Sequence, residues 1–179
     1  MKKLHLACGY ERFEGWENHD RDVDMAKPLP FDGDSIDFIF NHHALEHVIQ
    51  QEGYRFLGEC YRILRPGGVL RIGVPDIRRI LTICSVPHVF GPYVVERGGS
   101  ARAAVEGVIF EFGHQAIYTA DLLDAMLRTI GFRTTAALSW DDTAFAELRP
   151  TLAKHHRDHV LWVETTLIDA CKPTATGLA

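Results

Sequence analysis

Long apolar runs are absent. No stretch approaches the ~18 uninterrupted apolar residues that a membrane-spanning helix needs. The opening MKKLHLAC offers a four-residue apolar stretch after its lysines before it meets Gly9-Tyr10-Glu11-Arg12. That is too short for the centre of a signal peptide, so an exported protein is not expected. Cysteines are few and scattered: Cys8, Cys60, Cys84 and Cys171 form no C-x-x-C pair. A disulfide framework and a structural zinc site are both disfavoured, and the chain reads as a reduced, cytoplasmic protein. Basic runs are missing too, with Arg71, Arg78 and Arg79 standing apart in a chain of formal net charge −5. Nucleic acid is therefore disfavoured as a main partner. Repeats and low-complexity tracts are absent. So is the G-x-G-x-x-G fingerprint after a first strand, which argues against a nicotinamide-dependent oxidoreductase.

What is present is 179 residues, 46% hydrophobic and 24% charged, enough for one domain with a full core. Residues 4–7 read as a short strand, and residues 15–20 as a turn and a second strand. Pro28, Pro30 and the "DGDS" that follows are turn chemistry. "IDFIFNHH" is a buried strand ending near Asn41. From 51 to 64, Tyr54, Leu57, Cys60, Tyr61 and Leu64 recur at helical spacing, and "RPGG" stops that helix. "VLRIGVP" is the next strand, with Asp76 just past its end. A short helix fits 77–84. Residues 85–118 read as irregular, punctuated by glycine and proline and interleaved with Phe90, Tyr93, Phe110, Phe112 and Tyr118. A clean helix follows, with Thr119 as N-cap, Asp121 in its first turn, Leu122, Leu123, Met126, Leu127 and Ile130 on one face, and Gly131 as its stop. Strands near 132–138 and 159–167 close the domain, and the final KPTATGLA reads as a frayed tail, disordered over 173–179.

Strands alternating with helices predict an α/β domain with a parallel sheet over residues 1–172. In such sheets ligands sit outside the carboxyl ends of the strands. Ala7-Cys8-Gly9 follows the first strand, Asp20 ends the second, Asn41 to His43 end the fourth, and Pro75-Asp76 end the fifth. An acid at the end of a second strand suits the two hydroxyls of a ribose, and a glycine after the first lets backbone approach a ligand. Together they indicate a nucleoside-containing cofactor without saying which.

At these residues the sequence resembles a family. "LHLACG", "GWENHD", "KPLPFDGDSIDFIFNHHALEHV", "ECYRILRPGGVLRIGVPD" and "GHQAIYTADLLDAMLRTIGF" look like the ordered motifs of class I S-adenosylmethionine-dependent methyltransferases, above all the short, type-11-like group. The resemblance covers roughly residues 3–140. It implies a Rossmann-like, doubly wound, mostly parallel seven-stranded sheet with a shortened first crossover helix, and S-adenosyl-L-methionine as cofactor. By position, Ala7, Cys8 and Gly9 would line the methionine portion, and Asp20 would take the ribose hydroxyls. Asp24 and Met25 would sit by the adenine, while Asn41 and His42 would complete the pocket floor. Ala7 stands where the family has a glycine, and Tyr10-Glu11 replace the second glycine of its turn. The turn reads as a trimmed pocket.

Such an enzyme transfers a methyl group by in-line displacement to a small-molecule hydroxyl or amine, for example on a glycosyl or aromatic metabolite. Residues 77–118 form the candidate lid and substrate segment. His43 and His114 are the candidate general bases, since a histidine titrates near neutrality; each also fits a structural, hydrogen-bonded role. Cys8 reads as a packing residue rather than a nucleophile. His155, His156 and His159 include an i, i+4 pair with no acid or thiol partner in view, so no metal is expected. The degraded glycine motif keeps a second reading open, a non-catalytic partner subunit of the same fold. A second copy of the chain is the candidate protein partner, through the aromatic run from Phe90 to Phe112.

Overall fold

Parallel pairing dominates the sheet. The computed structural model describes residues 1–85, 99–135, 142–151 and 165–174. Within them lie strands β1 Lys3–Leu6, β2 Glu17–His19, β3 Ile36–His42, β4 Leu64–Pro75, β5 Arg133–Thr134 and β6 Thr165–Cys171, in the order β2-β1-β3-β4-β6-β5. The strands from β2 to β4 are parallel, and β6 alone runs against its neighbours. Leaving β2, the chain crosses β1 to reach β3, so the winding reverses at the carboxyl end of β1. That crevice is where open α/β sheets take their ligands.

Alternation along the strands feeds two cores. Leu4, Leu6, Ile39, Leu70 and Ile72 pack on one face beneath helices α1 (Gln50–Ile63) and α4 (Ala120–Ile130). Phe38, Phe40, Val69 and Leu167 line the other face with Trp16 and Leu148. Each fully buried side chain of this kind is worth about 1.5–3 kcal/mol over an exposed one. Two further helices, α2 (Ile77–Cys84) and α3 (Ala101–Phe110), meet through Ile80, Ile83, Cys84 and Val108 in a satellite cluster.

Two polar clamps set the loops that leave the sheet. The Asp76 carboxyl, buried at the end of β4, accepts from Arg78 N–H through Oδ1 and from Ala120 N–H through Oδ2, both at 2.9 Å. One side chain thus caps α2 and α4 together. On the other clamp, Glu59 of α1 takes Leu29 N–H at 2.8 Å and pairs with Arg62, whose guanidinium donates to the carbonyls of Leu29 and Phe31 at 3.0 Å. This holds the "LPF" loop on α1, and Arg62 keeps the Glu59 carboxyl below its usual pKa.

The structure departs from the sequence reading at several points. Six strands rather than seven are present among the described residues; between β2 and β3 the chain makes only turns, through Pro28 and Pro30. The first crossover carries no helix at all, because residues 7–16 are spent on tight turns. The buried stripe of α1 is Gly53, Phe56, Leu57, Cys60 and Ile63, rotated from the expected one: Tyr54 is exposed, and a Cβ on Gly53 would come within 2.8 Å of the Tyr118 hydroxyl. "RPGG" is an irregularity inside β4 rather than a turn after the helix, since Gly67 (φ +82°) lets its N–H reach Lys172 O at 2.7 Å. Residues 101–110, expected to be irregular, form α3, with the Ser100 hydroxyl accepting from Ala103 N–H at 3.1 Å and Gly107 tolerated inside it. Lys172 does not belong to a frayed end: its Nζ donates to Asp34 and to the carbonyls of Tyr61 and Leu64 at 2.6–2.9 Å. Phe90, Tyr93, residues 136–138 of the expected strand 132–138, the start of 159–167, His155, His156, His159 and the tail from 175 lie outside the described residues.

Candidate functional site

Two turns at the carboxyl edge of the sheet hold the residues singled out from sequence. The first follows β1. Ala7 adopts φ +55° and Gly9 φ +53°, left-handed conformations that favour glycine and strain alanine. The Cys8 N–H donates to His19 O at 3.0 Å, carrying the β1–β2 pairing one residue further. Gly9 N–H then donates to Asp20 Oδ1 at 3.2 Å, bringing the glycine turn and the acid of β2 together. A side chain on Gly9 would meet nothing within 4 Å, so the turn presents bare backbone to open space. Asn41 donates through Nδ2 to Leu6 O at 3.0 Å, while its buried Oδ1 makes no hydrogen bond among the described residues. An unsatisfied buried oxygen costs about 1–3 kcal/mol, and one placed beside an open turn is what a bound ligand would repair.

The other expected cofactor residues fall less centrally. Cys8 is buried, and burial pushes its thiol up, which suits packing and not nucleophilic chemistry. His42 is buried at the end of β3, stacked on Phe40 at 6.1 Å and edge-on to His43 at 4.2 Å. Asp24 is exposed and closes its own turn. It accepts from Ala26 N–H at 2.9 Å, which lowers its pKa, with Lys27 helping at 3.0 Å. Met25 is half-buried against the α1 core. No hydrogen bond or ion pair joins either of these two to the β1 turn among the described residues.

The second turn follows β3. His43, at φ +49°, places Nε2 2.6 Å from Thr165 Oγ1 and Nδ1 3.3 Å from Glu46 Oε1. Glu46 belongs to a 3₁₀ turn, Leu45–His47, and is 1% exposed, yet neither carboxyl oxygen makes a hydrogen bond among the described residues. Across from it runs the loop into α4. Gln115 and Ala116 N–H donate to Glu46 O at 2.7 and 3.2 Å, and Gln115 Nε2 donates to His47 O at 2.6 Å. This staples His114 beside His47, with ring centroids 4.9 Å apart. His114 Nδ1 lies 2.6 Å from Val108 O, and a carbonyl only accepts, so Nδ1 carries the proton and Nε2 keeps its lone pair. Burial and the neighbouring Glu46 push the Tyr118 hydroxyl up to about 12. The two candidate bases therefore converge on one buried carboxyl. From sequence His47 reads as a capping or packing residue and Glu46 draws no role; the fold sets both beside His114.

Residues 11–72 match the family described as a methyltransferase domain. Over 48 residues the chain is 40% identical to a protein of Mycolicibacterium smegmatis named as a probable S-adenosylmethionine-dependent methyltransferase. Over residues 11–72 the chain is similar to a methyltransferase domain. The aligned stretch is 27% of this chain and 18% of that relative, so the domain spans under a fifth of the protein it matches. Solved structures share the fold. A methyltransferase from Archaeoglobus fulgidus aligns with a TM-score of 0.57 at 15% identity, over 96% of this domain and 86% of its own chain. One from Mesorhizobium loti gives 0.55 at 15%, over 95% and 90%. The cofactor of such a methyltransferase domain is S-adenosyl-L-methionine, and the open Gly9 turn, Asp20 beside it and the unsatisfied Asn41 Oδ1 are chemically suited to that group. No helix among the described residues is long and apolar enough to cross a membrane.

Proposed function

We propose that the domain transfers a methyl group from S-adenosyl-L-methionine to a hydroxyl or amine of a small molecule. The observation that carries this reading is the contact between Gly9 N–H and Asp20, which sets an acid and an open backbone turn side by side at the switch point. When bound, the cofactor supplies an electrophilic methyl on its sulfonium sulfur; the protein supplies position. Asp20 has one carboxyl oxygen engaged by Gly9, and its other makes no hydrogen bond among the described residues, leaving it for ribose hydroxyls. Asn41 Oδ1 offers an acceptor at the floor. On the acceptor side, both ring nitrogens of His43 face protein atoms, so His43 positions its neighbours. His114 spends Nδ1 on Val108 O, which leaves Nε2 as the nitrogen that serves the acceptor side.

Calorimetric titration with S-adenosylhomocysteine, with NADH as control, tests the cofactor half. Micromolar binding of the former alone is expected, weakened by about 1–3 kcal/mol in Asp20→Ala because the glycine N–H and the ribose lose their shared acceptor. Absence of binding in a folded protein would favour the non-catalytic partner subunit, for which the helix-free β1–β2 crossover is the structural argument.

A further inference from the structure

We propose that Glu46, His47 and His114 form a binding site for a divalent cation of the zinc type, and that this cation holds the hydroxyl of the methyl acceptor. One ligand atom from each of the three lies within 4.8 Å of the others. Bond lengths of about 2.0–2.2 Å put ligands on a shared zinc roughly 3–3.5 Å apart, so small side-chain rotations close the set.

Three independent features point to a cation rather than to a chance cluster. Glu46 is 1% exposed with no hydrogen bond to either oxygen, although buried carboxyl groups are otherwise satisfied. His43 Nδ1 lies 3.3 Å from Glu46 Oε1 without making a hydrogen bond to it. His114 is held in the tautomer a metal requires, because Nδ1–H donates to Val108 O and leaves the lone pair on Nε2; a carbonyl behind a ligating imidazole is a common supporting contact. The two segments are also pre-fixed, since Gln115 and Ala116 bind the backbone of Glu46 and His47 through three hydrogen bonds. The cost of assembling residues so far apart in sequence is met by the fold before any ion arrives.

Two imidazoles and one carboxylate suit zinc and leave at least one coordination position for a substrate oxygen. A hydroxyl bound there loses its proton to water at a lower pH, and its oxygen keeps the electron pair that attacks the methyl. Phe112, 58% exposed, lies beside His114 with ring centroids 6.0 Å apart and favours an acceptor with an apolar or aromatic body. The use of the site, though not the binding of the cation, rests on the methyltransferase reading.

The test is titration of the chelator-treated full chain with Co2+. One equivalent is expected to bind with visible d–d absorption that Zn2+ bleaches. The bands should vanish in His114→Ala and in Glu46→Gln, with circular dichroism unchanged, and persist in a His155→Ala/His159→Ala variant. Absence of the bands from the wild type, or their survival in a His47→Ala/His114→Ala variant, would overturn the site. Parallel titration with S-adenosylhomocysteine separates the two readings. Nucleoside binding without Co2+ binding refutes the cation site and spares the cofactor pocket. Co2+ binding without nucleoside binding supports the cation site and overturns its use in methyl transfer.

Discussion

Two carboxyl groups are almost equally hidden in this molecule, Asp169 and Glu46, each 1% exposed. Asp169 sits in β6 opposite Arg71 of β4 and accepts from its guanidinium at 3.2 and 3.3 Å, with Thr143 Oγ1 adding a third bond at 2.6 Å. Burial pushes the Asp169 carboxyl up, and Arg71 and Thr143 pull it back. Glu46 has no such company. The first is architecture, satisfied from within; the second sits in a place built to receive something from outside. Depth of burial alone does not separate structural from functional acids. Hydrogen-bond completeness does.

The largest effect should come from the satisfied member. Asp169→Ala leaves Arg71 buried opposite an empty position and should cost about 3–5 kcal/mol in urea unfolding. A loss under about 1 kcal/mol would erase the contrast. Next comes Glu59, whose side chain is 22% exposed and which sits between these extremes. Glu59→Ala should cost about 1–3 kcal/mol by freeing Leu29 N–H and Arg62. Because Arg62 depresses its folded pKa, Glu59 contributes stability above its unfolded value near ~4.3 and loses it as pH falls through the lower folded value. The wild type should therefore lose more stability than Glu59→Ala between pH 5 and 3 (approximate limits set by those values).

Glu46→Gln should move the other way. Removing an acid with no hydrogen-bond donors is expected to leave stability unchanged or raise it by up to about 2 kcal/mol, read as the urea midpoint in chelator-treated protein. A loss comparable to that of Asp169→Ala would place Glu46 with the architecture. The backbone extends the contrast at smaller scale. Ala7 at φ +55° is strained at the turn after β1, and Ala7→Gly should stabilise by about 1 kcal/mol in thermal unfolding.

Legibility in the sequence followed the same division. The Gly9 turn and Asp20 could be read because their partners are close along the chain, and motif order supplied the rest. The ends of α4 were readable because Thr119 and Gly131 act within a turn of themselves: the hydroxyl accepts from Leu122 N–H at 3.2 Å, and the glycine takes φ +120°. Helix α3 was obscured because Gly99, Gly107 and Gly113 read as punctuation, whereas Gly107 is carried inside the helix. The Glu46–His47–His114 set was illegible for a different reason. His47 and Gln115 are 68 positions apart, and only the pairing of β3, β4 and the loop before α4 makes them neighbours. Local spacing carries no trace of that.

The double cap by Asp76 has a consequence for how this protein can change. Ile77 N–H donates to Tyr118 O at 3.1 Å and Asp76 pairs with Tyr118, so the excursion from α2 through α3 departs and returns at a single knot. A chain segment tied at its root behaves as an exchangeable cassette: lengthening it adds an entropic cost that grows only with the logarithm of its length. Insertions or swaps within that cassette should leave the sheet, the β1 turn and α4 in their registers.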